Sequence, residues 1–232
     1  SDLVNEAAKL RFMFGGKVKV PMVMRTASGA GTGAAAQHSQ SLEACLAHFP
    51  GLKVVIPSTP YDAKGLLKTA IRDDNPVMFL EQKTLYRTKG MVPEEEYSIP
   101  LGQADIKLAG SDCTVVTYGR MVNTCLTAAQ ELEKEGVRLE VIDIRSLVPL
   151  DTQTILESVK KTKHVLIVHE AVQFCGFGAE IAGQIADSDA FYYLDAPIKR
   201  LGAKSTPIPF NPILEAETFP TVPKIVAAVK SL

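Results

Sequence analysis

The 232-residue sequence has no excess of charge of either sign: 25 Lys and Arg stand against 26 Asp and Glu, a formal net charge of −1. Without a basic balance nothing indicates nucleic acid, and without an acidic block there is no solvating tail. No apolar run reaches the ~18 residues that a membrane-spanning helix needs. Cysteine is sparse and unpaired. Cys45, Cys113, Cys125 and Cys175 form no C-x-x-C, so the expectation is reduced thiols in a cytoplasmic protein. The histidines His38, His48, His164 and His169 lack the spacing of a zinc site. Internal repeats and low-complexity tracts are also missing. What is left is an ordinary globular composition, 46% hydrophobic and 22% charged, with length for one large domain or two of usual size.

Against that background the hydrophobic pattern alternates. Helical spacing is expected over 2–14, followed by strands at VKVPMVMR (18–25), LKVVIPS (52–58) and PVMFLE (76–81). SLEACLAHF and YDAKGLLKTAIR (61–72) read as the helices between them. Residues 82–103 break the rhythm with Pro93, Pro100 and Glu94-Glu95-Glu96, and read as a surface linker. The alternation then resumes, with strands at CTVVTYG (113–119), LEVIDIRSL and HVLIVHE (164–170), and helices at MVNTCLTAAQELEKEG, DTQTILESVKKT, FGAEIAGQIAD and TVPKIVAAVKSL. The remaining tail reads as Pro-rich loop. Such alternation implies α/β architecture with mostly parallel sheets.

One stretch asks for a chemical reason: GAGTGAAAQHSQSLEA, residues 29–44. Gly29-Ala30-Gly31-Thr32-Gly33-Ala34 fits a dinucleotide loop. That reading also needs an acid at the end of the next strand, where Val55-Ile56-Pro57-Ser58-Thr59 has none. A Walker loop fails because no Gly-Lys-Ser/Thr follows. Small residues otherwise permit close approach of a ligand or a neighbouring chain. Gln37-His38-Ser39-Gln40 reads as the opening of a helix, where unpaired N–H groups would keep His38 neutral and available as an acid/base. The plain alternative is a helix-end histidine bonded to its own backbone.

Long motifs carry a resemblance. RFMFGGKVKVPMVMRTASGAGTGAAAQHSQSLEA, PGLKVVIPSTPYDAKGLLKTAIRDDNPVMFLE, IPLGQADIK, VIDIRSLVPLD, VHEA and LDAPIKR together resemble the β subunit of the thiamine-diphosphate-dependent first component of acetoin and 2-oxo acid dehydrogenase complexes. AAAQHSQSL with LDAPIKRLGAKSTPIPFNPILE is closer to acetoin than to pyruvate dehydrogenase. The resemblance implies part of a pyrimidine-binding domain over residues 1–95, a linker at 96–103 and a transketolase C-terminal-like domain over 104–232. It further implies that the family's chain begins well before Ser1, and that the glutamate bonding the cofactor's aminopyrimidine has no match in this sequence. The expectation is therefore a fragment that is inactive alone and prone to self-association through an exposed apolar face.

The same resemblance assigns residues. His38, in the QHS motif, would lie beside the reactive carbon of thiamine diphosphate as general acid/base. Met22, Ala70, Ile71, Asp73 and Asn75 would hold a potassium ion. The all-oxygen cluster at a helix end suits a hard cation, while the residues without the resemblance read as an ordinary Asp/Asn helix stop. Asp195, with the chain end at Leu232, would meet the lipoyl-bearing acyltransferase core, the alternative being a solvated acid. An α subunit would supply the diphosphate and magnesium site, and a second β subunit would complete the assembly. The implied activity is acetoin cleavage with acyl transfer to a lipoyl group. Pyruvate dehydrogenase and a non-catalytic assembly module are the alternatives. A single-chain transketolase-like synthase is weakened because no Gly-Asp-Gly…Asn segment is present.

Overall fold

Proline shapes the first strand. Pro21 has no N–H to give a ladder, so pairing begins only after it. The computed structural model describes residues 2–232, and its first strand is Val23–Ser28 (β1), later in the chain than the apolar run predicts. Lys53–Val55 (β2) and Val77–Gln82 (β3) follow, and β3 pairs in parallel with both. Val77 to Leu80 are buried, as a continuous apolar strand covered on two faces requires. Helix α1 (Ala8–Met13) continues a π-helical turn at Asp2–Ala7. Helix α2 is only Glu43–Ala47, whereas α3 (Pro60–Arg72) is capped by Thr59, whose Oγ1 accepts the Asp62 N–H at 3.1 Å.

The second sheet has, from edge to edge, Asp105–Leu108 (β4), Leu139–Asp143 (β6), Cys113–Thr117 (β5), Val165–Val172 (β8) and Lys199–Ala203 (β9). Strand β5 lies parallel to β6 and β8, and β8 lies parallel to β9. Strand β4 runs antiparallel on the β6 edge. Helices α4 (Met121–Glu133), α5 (Thr152–Thr162), α6 (Gly178–Ala186) and α8 (Val222–Lys230) match the apolar periodicity. Two elements fall where the sequence reads as loop, β9 and α7 (Pro212–Thr218), and β4 falls in a stretch where the sequence pattern places no element.

LEVIDIRSL is not one strand. It breaks at Ile144-Arg145, where Arg145 adopts φ 54°, and then Ser146–Val148 (β7) crosses to the first sheet, antiparallel to β2. A buried charge cluster fixes this crossover. Arg145 Nη1 donates to Asp62 Oδ1 at 3.2 Å, and its other guanidinium nitrogens donate to the Gln103 and Ala104 carbonyls. Lys107 Nζ reaches Asp62 at 3.0 Å and Asp105 at 2.6 Å. The Ser58 hydroxyl faces both Asp62 and Asp143 but has a single proton to give, and Asp62 Oδ2 accepts from Thr59 and Lys107 as well. Burial pushes Asp143 up to about 7. Burial also acts to raise Asp62, but bonds from Thr59, Lys107 and Arg145 outweigh it and hold Asp62 below the usual carboxylate value.

The central core belongs to both sheets, joining Ile56 and Leu80 to Tyr118, Ile144 and Ile167. Segment 82–103 is more than a surface connection. It contains a 3-10 turn at Lys83–Arg87, and Ile99 is buried against α3, where a Cβ on Gly65 would stand 2.6 Å from Ile99 Cγ1.

Candidate functional site

The small loop leaves β1 with left-handed backbone at Gly29, Gly31 and Gly33 (φ 83°, 91° and 66°), conformations that favour glycine. Its base is closed by the Gly29 N–H on the Gln40 carbonyl at 3.0 Å. Three further N–H groups point at carboxylates of the second half. Ala30 donates to Glu170 Oε1, Gly31 to Glu215 Oε1 at 2.8 Å and Gly33 to Glu215 Oε2 at 3.2 Å. Glu170, at the end of β8, also accepts from Gln82 Nε2 at 3.1 Å and from Arg120 Nε. Arg120 in turn lies over the Phe219 ring, 4.2 Å from its centroid.

The sequence reading missed this set. Arg120 stands in the turn after Tyr118-Gly119, and its guanidinium points inward to Glu170. An acid inside the apolar run VLIVHEA was the available signal, because a buried carboxylate demands donors. Glu215 carried no such signal.

His38 is exposed and belongs to a turn. The reading of QHSQ as a helix start is corrected, since α2 begins only at Glu43. His38 is thus five residues before the first helical turn and outside the reach of its dipole, while the N–H groups of Ala30, Gly31 and Gly33 go to Glu170 and Glu215. Lys83 Nζ bonds the His38 carbonyl and holds the turn against the 3-10 segment. Beside this turn opens a cavity of about 560 Å³, lined by Ala30, Gln37, Ser39, Glu170, Ser205 and Ile208 among others. The buried Ser39 Oγ lining it has no hydrogen-bond partner among the described residues.

Behind the loop runs a sealed polar column. Glu43 accepts the Tyr118 hydroxyl, and Tyr118 stacks on His169 with ring centroids 6.1 Å apart. Burial raises Glu43 to about 7 and lowers His169 to about 4. The His169 Nδ1 lies 3.0 Å from the Ala171 carbonyl oxygen, Gly176, Gly178 and Gly202 pack against the ring, and its buried Nε2 has no hydrogen-bond partner among the described residues.

Asp73 and Asn75 meet at the end of α3. Asp73 Oδ1 accepts both the Asn75 N–H and Nδ2–H at 2.8 Å, and Lys53 Nζ bonds Oδ2. Burial acts to raise Asp73, but these bonds outweigh it and hold it below the usual value. Its carboxylate is therefore satisfied within the chain, and backbone oxygens are what remains for a cation. The Met22 carbonyl takes the Val77 N–H and the Ala70 carbonyl takes the Asp73 N–H, each keeping a second lone pair. The Ile71 carbonyl accepts no N–H among the described residues. Carbonyl oxygens are the kind of ligand that hard cations take. Asp195 is exposed, 3.8 Å from Lys163 Nζ, while Leu232 packs on the α4–α8 core. Lys199 bonds Ser231, tying the start of β9 to the chain's end.

Residues 1–89 match the model of the transketolase pyrimidine-binding domain and residues 102–225 that of the transketolase C-terminal domain. The acetoin:2,6-dichlorophenolindophenol oxidoreductase subunit beta of Bacillus subtilis (strain 168) is 52% identical over 231 residues, covering 100% of this chain and 67% of the relative. The chain belongs to the family of acetoin and pyruvate dehydrogenase E1 β subunits. Another member, the mitochondrial pyruvate dehydrogenase E1 component subunit beta of Caenorhabditis elegans, is 48% identical and covers 99% of this chain and 66% of its own. The chain thus spans about two thirds of the length of these family members. A solved split gene transketolase, an inactive beta4 tetramer, superposes with TM-score 0.79 at 22% identity, covering 99% of this chain and 69% of that one, which is agreement of fold. No helix among the described residues is long and apolar enough to cross a membrane.

Proposed function

We propose that the chain serves in an acetoin dehydrogenase, cleaving acetoin and passing the acyl group to a lipoyl-bearing acyltransferase, with His38 as the group that moves the proton. The observation that carries this is an exposed His38 on a turn that Lys83 holds and whose neighbours Gln37 and Ser39 line an open cavity. The N–H groups of Ala30, Gly31 and Gly33 are taken by the carboxylates of Glu170 and Glu215, whose charge would repel a diphosphate on that side of the loop. The exposed His38 fits a cofactor presented by a neighbouring chain. Thiamine diphosphate, held with magnesium mainly by an α subunit, would supply the carbanion-stabilising ring.

On this reading the imidazole takes or returns a proton at the substrate oxygen, with its turn fixed by Lys83 and by the loop behind it. Carbonyls of Met22, Ala70, Ile71, Asp73 and Asn75 hold a potassium ion that ties the end of α3 to the start of β1. Asp195 and the α8 end near Leu232 face the acyltransferase core, and a second β subunit completes the assembly.

The test is reconstitution with the α partner, thiamine diphosphate and magnesium, following dye reduction. Acetoin is expected to be the better substrate, and His38→Ala to lower turnover by about 10²–10⁴-fold, the usual worth of acid/base catalysis. Preference for pyruvate would move the protein to the pyruvate enzymes, and full activity of His38→Ala would remove that residue from the chemistry. Silence of the assembled enzyme would leave an assembly role.

A further inference from the structure

The two carboxylates that hold the glycine loop differ in their surroundings. Glu170 sits inside a sheet and is matched by Arg120, as a buried acid must be. Glu215 comes from α7, a short helix that is otherwise peripheral: Ile213 is 76% and Leu214 56% exposed, while Glu215 is 4% exposed. Nothing in the packing of such a helix calls for an acid on its inner face, where an aliphatic side chain would anchor it at less desolvation cost. Glu215 instead spends both oxygens on the N–H groups of Gly31 and Gly33, 184 and 182 residues away in sequence. Those glycines lie on the limb of a loop closed by Gly29 and Gln40, and His38 lies within the same closed loop. Asn211 caps α7 by accepting the N–H groups of Ile213 and Leu214, which orients the helix from its first turn. Its far end is fixed by the Thr218 carbonyl on the Lys204 N–H at 2.7 Å and by Phe219 beneath Arg120. Residues 205–208, which lead into α7, line the cavity beside the His38 turn.

We propose that Glu215 is a positioning residue: reaching across from α7, it fixes the loop that carries His38, so that seating of the 205–218 segment sets where the imidazole stands. This rests on the role given to His38 above. Because the carboxylate chelates two N–H groups, its loss frees both at once and lets the limb move about its closed base.

Two readouts separate the latch from the chemistry. In the chain itself, hydrogen exchange of peptides covering residues 29–36 should quicken by about 10- to 100-fold in Glu215→Ala, the worth of a charge-assisted hydrogen bond, with β5 and β8 unchanged. Glu215→Gln, which keeps size and one acceptor, should fall between, and Glu217→Gln on the exposed face of the same helix should match the parent. In the assembled enzyme Glu215→Gln should lower kcat roughly tenfold with little change in KM, since the substrate's binding contacts are intact. Unchanged exchange in both Glu215 variants overturns the latch. Quickened exchange with unchanged kcat overturns the positioning role. Full activity of His38→Ala overturns the catalytic reading alone, and exchange then still decides whether Glu215 holds the loop.

Discussion

The Tyr118 hydroxyl donates to Glu43 Oε1 at 3.0 Å, and both side chains are sealed from solvent. Glu43 opens α2 just behind the His38 turn, so a buried acid supports the element that follows the loop. Burial raises it from 4.5 to about 7. Between those values the folded chain keeps a proton that the unfolded chain has released, so stability falls as pH rises through that window. Asp143 adds to the same slope, and His169, lowered to about 4, opposes it below its usual value.

Glu43→Gln is therefore expected to lose less stability than the parent between pH 5 and pH 7.5, by on the order of 2–3 kcal/mol. Urea unfolding at the two pH values measures this. Equal pH dependence in parent and variant would show that Glu43 is ionised when folded.

Arg120→Ala leaves Glu170 buried beside Ala30 and Gln82 without its cation, and should destabilise the fold by roughly 3–5 kcal/mol. Adding Glu170→Gln should recover part of the loss by removing the orphaned charge. A double variant no more stable than Arg120→Ala would place the effect in the Phe219 stacking instead.

Gly178 has no room for a side chain: a Cβ there would stand 2.7 Å from His169 Nε2. Gly178→Ala should cost about 1–3 kcal/mol, and the same change made on His169→Ala should cost much less. Additive losses would mean that the ring is not what fills the space.

Backbone oxygens at the end of α3 predict a cation effect. Thermal unfolding in KCl should occur a few degrees higher than in NaCl of equal ionic strength, because an ion bound only by the folded state stabilises it. Identical melting in the two salts would leave Asp73 and Asn75 as a helix stop closed by Lys53.

Much of the fold is legible along the chain because its signals are local. Pro60 with Thr59 starts α3, Asp151 starts α5, and apolar periodicity marks α4, α6 and α8. The elements that escaped have weak local signals. β9 contains Lys199, Arg200 and Gly202 and is a strand only because β8 offers it an edge, while β4 exists because β6 does. The break in LEVIDIRSL is invisible in its own residues, since it is imposed by Asp62 from α3 and by carbonyls 103 and 104 gripping Arg145.

By itself the sequence determined the family, the α/β alternation and the presence of a small loop ending in a histidine, since these are properties of neighbours along the chain. Only the tertiary structure decided what the loop is for inside the molecule. Its N–H groups look free in sequence, yet in the fold they are the donors that let Glu170 and Glu215 be buried. A hydrogen bond across 140 or 184 residues leaves no pattern in the segments it joins, because each end is chosen by the space the other leaves.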